Sequence, residues 1–557
     1  MLRDGFDDAA AREVASAGLP QLLALRNASF LNLDSDGRYS QHPLIAAFVR
    51  ERAGDASEVR SAAAERHARC FLARLDTWER EGHGPEPAAV MAALQRDHAN
   101  VEAAWHHAVA HGWWDALKAG GPTLGLSYAL AGRAARWSEL HRAALAAVPA
   151  ESAAWAMLEV FDSAAATFEG RHEEAYERRT RAVAVLRREG SERDLAWGLF
   201  RHGMAAEAVG RLDEAFSSLE SSAALYRGLD EPHYLGLALT SLHALSRSQV
   251  EGDERFAVAD AHLRVTGNHD LRADLLDQHA SLTVALSGRF GDALAQADEA
   301  LRLERAAAWS PLHEARRLHT CAWVRVGMGD AGGARSHALE AVRLFQPFES
   351  QFPTEAHDVR AVLAWASWLL DDGDGLAAYL DPGAPAASTL KGLALRVELA
   401  LERGELATAA SCAATALALT DAAPMRWQQR LRLGTALVLA ARCSIAAHDS
   451  TEALENLGEA LRVARVDPLV PLLLSACAAA LPLLDDPDGR VARALRHQAA
   501  LLPFAVRRAL PRTVSGQRPG AARQEDDVTM DPDAIADAVA RGLDASTAIV
   551  SGRKRSR

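Results

Sequence analysis

The side chains that could do chemistry are few, and their spacing does not serve it. A Walker A phosphate loop needs glycine-rich backbone closed by Gly-Lys-Ser/Thr to cradle phosphates. The chain has three lysines, Lys118, Lys391 and Lys554, and none follows a glycine. Gly327-Met328-Gly329-Asp330-Ala331-Gly332 spells GxGxxG, but it follows the helical run Cys321 to Val326, where a dinucleotide fingerprint requires a strand. His172-Glu173 and His313-Glu314 begin HExxH, yet Tyr176 and Arg317 occupy the position of the second histidine. His106, His107 and His111 cluster on one predicted helix. With no cysteine or acidic ligand beside them, they read as a polar helix face rather than a metal centre. Five cysteines (Cys70, Cys321, Cys412, Cys443, Cys477) are far apart with no CxxC, as buried small residues in a reducing compartment would be. There is no GxSxG elbow. No enzyme, metal site or cofactor of the chain's own is expected.

What does recur is a turn. Gly210-Arg211-Leu212-Asp213-Glu214-Ala215 returns at Gly170 to Ala175, Gly288 to Ala293, Gly329 to Ala334 and Gly404 to Ala409. A copy at His448 to Ala453 has lost the glycine. Seven residues beyond each alanine stands a second small residue: Ala182, Ser222, Ala300, Ala341, Ala416 and Ala460. The copies recur about every 40 residues, and two longer gaps fit two units each, with degenerate copies near Gly252 and Gly373. Glycine ends one helix in the left-handed conformation, acidic residues start the next, and two small residues on one face let the helices cross closely. With Gly203 in the helix before Gly210, this spacing resembles the tetratricopeptide repeat. The resemblance implies an all-α fold: a right-handed αα-superhelix of antiparallel helix pairs over residues 112–500. The other reading is an ordinary helical bundle with alanine-rich seams.

Composition agrees with a soluble helical protein. Of 557 residues, 49% are apolar and 24% charged, while aromatics make up only 6% because alanine does much of the close contact. The net charge of −13 argues against direct nucleic-acid binding, which needs a basic surface. The uncharged run Pro468 to Leu484 contains Pro471 and Pro482 and is shorter than the roughly 20 residues of a membrane span. It reads as a buried terminal helix, and no membrane partner is expected. The acidic N-terminus is no secretory signal, and a cytoplasmic location follows. The tryptophans spread through the repeats read as packing residues.

Residues 1–55 differ from the repeats. Two short helices (Asp7 to Ala15, Leu19 to Leu25), an alternating stretch Ser29 to Leu33, a turn at Asp34-Ser35-Asp36-Gly37, a second strand Arg38 to Gln41 and a helix from His42-Pro43 suggest a winged-helix domain. Residues 56–111 read as a helical connector, with a loop at Gly82 to Pro87. Leu22-x-x-Leu25-x-x-x-Ser29-Phe30-Leu31, Arg38-Tyr39-Ser40-Gln41-His42-Pro43-Leu44, Ala64 to Leu72 and Asp97 to Trp105 together resemble bacterial signal-transduction ATPases with numerous domains, of the antibiotic-regulator and maltose-activator types. In that group a winged helix follows the ATPase core and repeats follow the winged helix. The resemblance implies a non-catalytic sensor or protein-interaction module of a signalling or transcriptional regulator. The repeat groove would take a protein, a peptide or a small effector. It also implies an ATPase core supplied in trans, or upstream of Met1, as a partner, with His42 contacting its bound ADP. The family triplet is Met-His-Asp, and here it is Gln41-His42-Pro43. A stand-alone repeat scaffold is the alternative. Residues 501–557 read as a mostly disordered tail, with a short helix near 532–541 and a basic end, Gly552 to Arg557.

Overall fold

The computed structural model describes every residue except 1, 3–4, 53–56, 82–86, 119–123, 126, 129–130, 132, 169, 308–309, 351, 381–388, 421–426, 467–468, 485–488, 499–500, 504–529 and 556–557. The fold is all-α, of the αα-superhelix class: helix follows helix, and sequential neighbours pack in pairs. The chain divides into two compact units, Met1–Ala238 with Thr266–Asn268, and Leu239–Val265 with His269–Arg557.

The first unit opens with α1 (Asp8–Ala15), α2 (Leu19–Asn27), strands β1 (Asn32–Leu33) and β2 (Tyr39–Ser40), and α3 (Pro43–Arg52). Asp7 starts α1 by accepting the Ala10 amide at 2.7 Å, satisfying one of the helix's unpaired N–H groups. The hairpin is shorter than the alternation of Ser29 to Leu33 suggests. Ser29 adopts φ +60° and the Phe30 amide bonds back to the Leu25 carbonyl at 2.9 Å, so these residues finish α2 instead of starting a strand. Next come α4 (Ser57–Glu81), α5 (Pro87–Arg96) and α6 (His98–His111). The loop expected before Pro87 lies outside the described residues. Asp97 ties these parts together. Its carboxylate takes Arg38 at 2.5 Å and Arg74 at 3.4 Å, and Arg74 also holds Asp7 at 2.8 Å. A short α7 (Trp114–Lys118) and α8 (Ala134–Leu145) precede the regular pairs.

Those pairs are α9 (Ala153–Phe168) with α10 (His172–Glu189) and α11 (Glu192–Ala208) with α12 (Leu212–Gly228), followed by α13 (Pro232–Ala244), of which the first unit holds the part up to Ala238, and α14 (Gln249–Thr266), which belongs to the second unit up to Val265. In the second unit α15 (His269–Ser287) pairs with α16 (Phe290–Ala307), α17 (Pro311–Met328) with α18 (Ala331–Phe345), α19 (Pro353–Leu369) with α20 (Gly373–Leu380), α21 (Leu390–Glu402) with α22 (Leu406–Ala418), and α23 (Trp427–Ala446) with α24 (Ser450–Val466). The recurring turn is the joint of these pairs. Gly170, Gly210, Gly288, Gly329 and Gly404 have φ between +68° and +85°. At Gly210 the Arg211 amide bonds the Ala206 carbonyl at 2.8 Å and the Gly210 amide bonds the Glu207 carbonyl at 3.0 Å. This is the glycine-terminated helix end that leaves few carbonyls unpaired. His448 takes φ +61° with the same two bonds, so the copy without glycine keeps the conformation.

The two degenerate copies differ from expectation. Asp371, at φ +54°, makes the turn near Gly373, and Gly373 begins α20. Gly252 is no turn residue. It is buried inside α14, where a Cβ would strike the Leu282 side chain. The small residues behave alike in every clear copy: the turn alanines and their partners seven residues on are at most 1% exposed. Gly203 completes the crossing, since a Cβ there would lie 2.7 Å from Leu219 Cγ.

The second unit ends with α25 (Val470–Ala480), α26 (Arg490–His497) and α27 (Pro532–Arg555). The uncharged run becomes buried α25, and among the described residues no helix is long and apolar enough to cross a membrane. Its inner leucines share a cluster with Leu282 and Leu286 of α15. The C-terminal helix is longer than the expected 532–541. Ile535, Ala536, Val539 and Leu543 are buried against that cluster, and Gly542 permits close approach to Leu484, 2.7 Å from where its Cβ would stand. Disorder expected from Arg512 to Gly520 falls outside the described residues.

The crossing makes a direct test possible. Ala215→Trp should cost about 1–3 kcal/mol by overfilling the α11–α12 contact, whereas Gly228→Ala, with open space around it, should leave the chemical-denaturation midpoint nearly unchanged. Equal midpoints for the two variants would refute the assigned register.

Candidate functional site

Many of the residues that converge in the first unit come from α9 and α11, the helices that open their pairs. Helix geometry sets positions i, i+4 and i+8 on one face. Met157 and Phe161 of α9, and Arg193 and Trp197 of α11, are such pairs, and with Tyr226 and Tyr234 they line a narrow cavity. A wider one of about 230 Å³ adjoins it, sharing Glu79, Arg193 and Tyr234 and adding Glu231, His233 and Asn268. The aromatic wall is continuous: Tyr226 stacks on Tyr234 at 5.2 Å between centroids, and Trp197 meets Tyr234 edge-on at 5.7 Å.

Each cation of this wall has a carboxylate beside it. Arg193 meets Glu231 at 3.0 Å, and Lys118 meets Asp115 at 2.9 Å and Asp194 at 3.1 Å. Glu79, near the end of α4, is buried and accepts the Tyr234 hydroxyl. Burial pulls the Lys118 ammonium down, but Asp115 and Asp194 outweigh it and hold its pKa above the ordinary value. Burial, reinforced by the Glu79 carboxylate, raises the Tyr234 phenol. Lys118 therefore stays an ammonium at neutral pH, and Tyr234 stays a hydroxyl donor. These groups recognise acceptors; neither is an activated nucleophile.

The residues singled out from the sequence fall elsewhere. His42 is exposed at the start of α3, its Nδ1 accepting the Leu44 amide at 3.2 Å and its carbonyl accepting the Ala46 amide at 3.0 Å. That bond places the ring proton on Nε2. His107 and His111 do share a face, their rings stacked 4.0 Å apart beside Trp113. The GxGxxG letters sit at the α17–α18 turn, with a helix before them. All five cysteines are buried free thiols. Lys391 pairs with Asp358.

Two features were not anticipated. One is the stripe Arg193, Trp197, Arg201, visible as an i, i+4, i+8 series once α11 is placed but read only as a packing tryptophan. The other brings Asp298, Cys321 and His337 within 4.8 Å of one another, with the His337 Nδ1 turned to the Gly333 carbonyl at 2.8 Å. The Arg325 guanidinium already takes both Asp298 oxygens, at 3.1 and 3.2 Å, so it stands where a metal cation would need that carboxylate. A second cavity in this unit, of about 450 Å³, is lined by the Asp7, Arg38, Arg74 and Asp97 network.

No protein-family model matches the chain, and no curated protein does. Solved structures that it resembles include a signal-transduction ATPase with numerous domains carrying a tetratricopeptide repeat sensor, from Pyrococcus horikoshii. That match has a TM-score of 0.44 at 13% identity over 84% of this chain. The chain spans 62% of that protein's length. A Rap protein complexed with competence and sporulation factor matches with TM-score 0.40 and 12% identity, over 72% of this chain and 99% of its own. Yeast Tom70 matches with TM-score 0.37 and 12% identity, over 88% of this chain and 97% of its own.

Buried histidines give the first unit a pH dependence. His141 is fully buried; its Nδ1 faces the Trp137 carbonyl at 3.0 Å, and its Nε2 has no partner among the described residues. Desolvation pushes its pKa down to about 4. The unfolded imidazole protonates near about 6.5, so between there and the folded value the unfolded chain binds the extra proton. Stability must fall as pH drops through that window, by on the order of 3 kcal/mol at most for this residue. His141→Leu should flatten the slope of unfolding free energy between pH 6.5 and 4, whatever it does to absolute stability. An unchanged slope would show that His141 titrates normally in the fold.

Proposed function

We propose that this chain is the non-catalytic sensor and interaction module of a bacterial signalling regulator, and that the inner aromatic surface of the first unit receives a peptide, a protein segment or a small effector. The observation that carries this reading is Glu79. A scaffold needs only a groove, but here the end of the connector helix α4 is built into the wall of the cavity through Tyr234. Whatever occupies the cavity competes with, or adds to, a contact made by the element that follows the N-terminal domain. Apolar rings with a few convergent polar groups are what a ligand pocket is made of.

The test is a selection of displayed random peptides on the full chain, followed by binding measurements on Trp197→Ala. Affinity should fall at least tenfold in that variant, and ligand should change hydrogen exchange in α4. Binding without any change in α4 would favour the stand-alone scaffold; no cavity-dependent ligand at all would end the reading.

An ATPase core supplied in trans belongs to the same proposal, with residues 1–55 as its winged helix. His42 presents Nε2–H to solvent, the donor that a phosphate oxygen of ADP would take, in a charge-assisted bond worth about 1.5–3 kcal/mol. In a complex reconstituted with such a core, ADP should raise the thermal midpoint less for His42→Ala than for wild type. An equal increment would rule out the nucleotide contact and leave His42 as a helix start.

A further inference from the structure

The first unit pairs its sheltered cations with care. Among its described residues, those not freely exposed include Arg38 and Arg74 on Asp97, Lys118 on Asp194, Arg136 on Glu102, Arg178 on Glu159 and Asp162, and Arg193 on Glu231. Two neighbours break the pattern. Arg179 is 1% exposed and meets only neutral acceptors: Ser163 Oγ at 2.8 Å, Thr167 Oγ1 at 3.0 Å and the Arg201 carbonyl at 3.2 Å. Both hydroxyls spend their own protons elsewhere, on the Val160 and Ser163 carbonyls. A guanidinium has five N–H groups, so two remain without a partner among the described residues.

Arg201 is half-buried. It lies over the Trp197 ring at 5.8 Å and touches Met204 Sδ at 3.9 Å, with no carboxylate among the described residues. Desolvation pushes its pKa down to about 10, and burial together with the charges of Arg201 and Arg178 lowers that of Arg179. This is a chain with 74 acidic residues to 61 lysines and arginines. Carboxylates are plentiful, and still none among the described residues is placed here. A sheltered charge without a counter-ion is costly, and a bound anion removes that cost by taking charge-assisted hydrogen bonds. Arginine's planar fork suits a carboxylate or a phosphoryl group. Arg201 also follows Arg193 and Trp197 on the same face of α11, one turn beyond the aromatic wall.

We propose that Arg201, backed by Arg179, is an oxyanion subsite on the face of α11 that carries Arg193 and Trp197, and that the ligand carries a carboxylate or phosphoryl group at the end lying past Trp197. This rests on the binding reading above and names the chemistry of its ligand.

The test follows the thermal midpoint of the full chain, at constant ionic strength in sodium chloride, titrated separately with inorganic phosphate and with acetylated triglutamate. At least one should raise the midpoint saturably above the chloride baseline. A response to phosphate alone assigns a phosphoryl group, and a response to triglutamate alone or to both assigns a carboxylate-competent site. Arg201→Gln should weaken the response at least tenfold and Arg201→Lys about three- to tenfold. Arg302→Gln, which removes an exposed partner of Glu299, should respond as wild type does. If Arg201→Gln does not fold, the lysine variant decides: a wild-type response from it overturns the subsite. So does the absence of any response beyond chloride in wild type. Selected peptides that bind through Trp197 but are indifferent to both Arg201 variants would end the oxyanion subsite while leaving the binding reading intact; a phosphate or triglutamate effect lost in Arg201→Gln stands even if no peptide is selected.

Discussion

Each helix pair depends on two helices approaching at a crossing where only a small side chain fits. Ala215 and Ser222 show how this works. Ala215 lies under Gly203, and Ser222 sends its hydroxyl to the Ala196 carbonyl at 2.8 Å, so the α11–α12 contact is set at both ends of a two-turn seam. Close approach gives dispersion contacts at native density without large aromatic residues, which explains how a chain with 6% aromatics can bury its helices. The left-handed turn residue is the second half of the same constraint. It reverses the chain within a few residues, so that the small residues of the second helix arrive in register with the first.

That economy determines where function can reside. The seam uses one face of each helix, and the remaining faces of the opening helices are free to differ from repeat to repeat. In the second unit the freedom goes to sheltered ion pairs: Arg317 is 3% exposed and is held by Asp274 at 2.8 Å and Asp277 at 3.0 Å, and the half-buried Lys391 is held by Asp358. Such pairs specify which helix neighbours which more than they add stability. In the first unit the same freedom yields the aromatic wall around Tyr234, with a carboxylate beside each sheltered cation among the described residues except Arg179 and Arg201.

The fold was legible because its constraint is local and repeated. Gly210, Ala215 and Ser222 lie within 13 consecutive residues, and their spacing needs no tertiary knowledge. The site was not legible, because it is assembled from positions that no spacing connects. Glu79 and Tyr234 are 155 residues apart, and Arg201 stands out only because no carboxylate among the described residues pairs with it, which sequence cannot show. Position also separates Gly252 from the turn glycines: composition makes them look alike, but Gly252 serves the Leu282 contact inside a helix. The extended C-terminal helix was cut short in the sequence reading because Gly542 looks like a terminator, when its lack of a side chain is what admits Leu484.

In the reading proposed above, the Glu79–Tyr234 hydrogen bond decides how the first unit would respond to a ligand. A hydrogen bond to a charged group contributes about 1.5–3 kcal/mol, which corresponds to roughly 10- to 150-fold in an equilibrium constant. A ligand that takes the Tyr234 hydroxyl for itself must exceed that contribution, and in doing so it releases the end of α4. A ligand that leaves the bond in place, and gains its affinity from Trp197 and the cation beyond it, holds α4 where it is. Only the difference in affinity for the two arrangements can move the connector. The sign of the response therefore depends on where along α11 the ligand's polar group sits: near Arg193 and Tyr234 it opposes the connector's contact, and near Arg201 it does not.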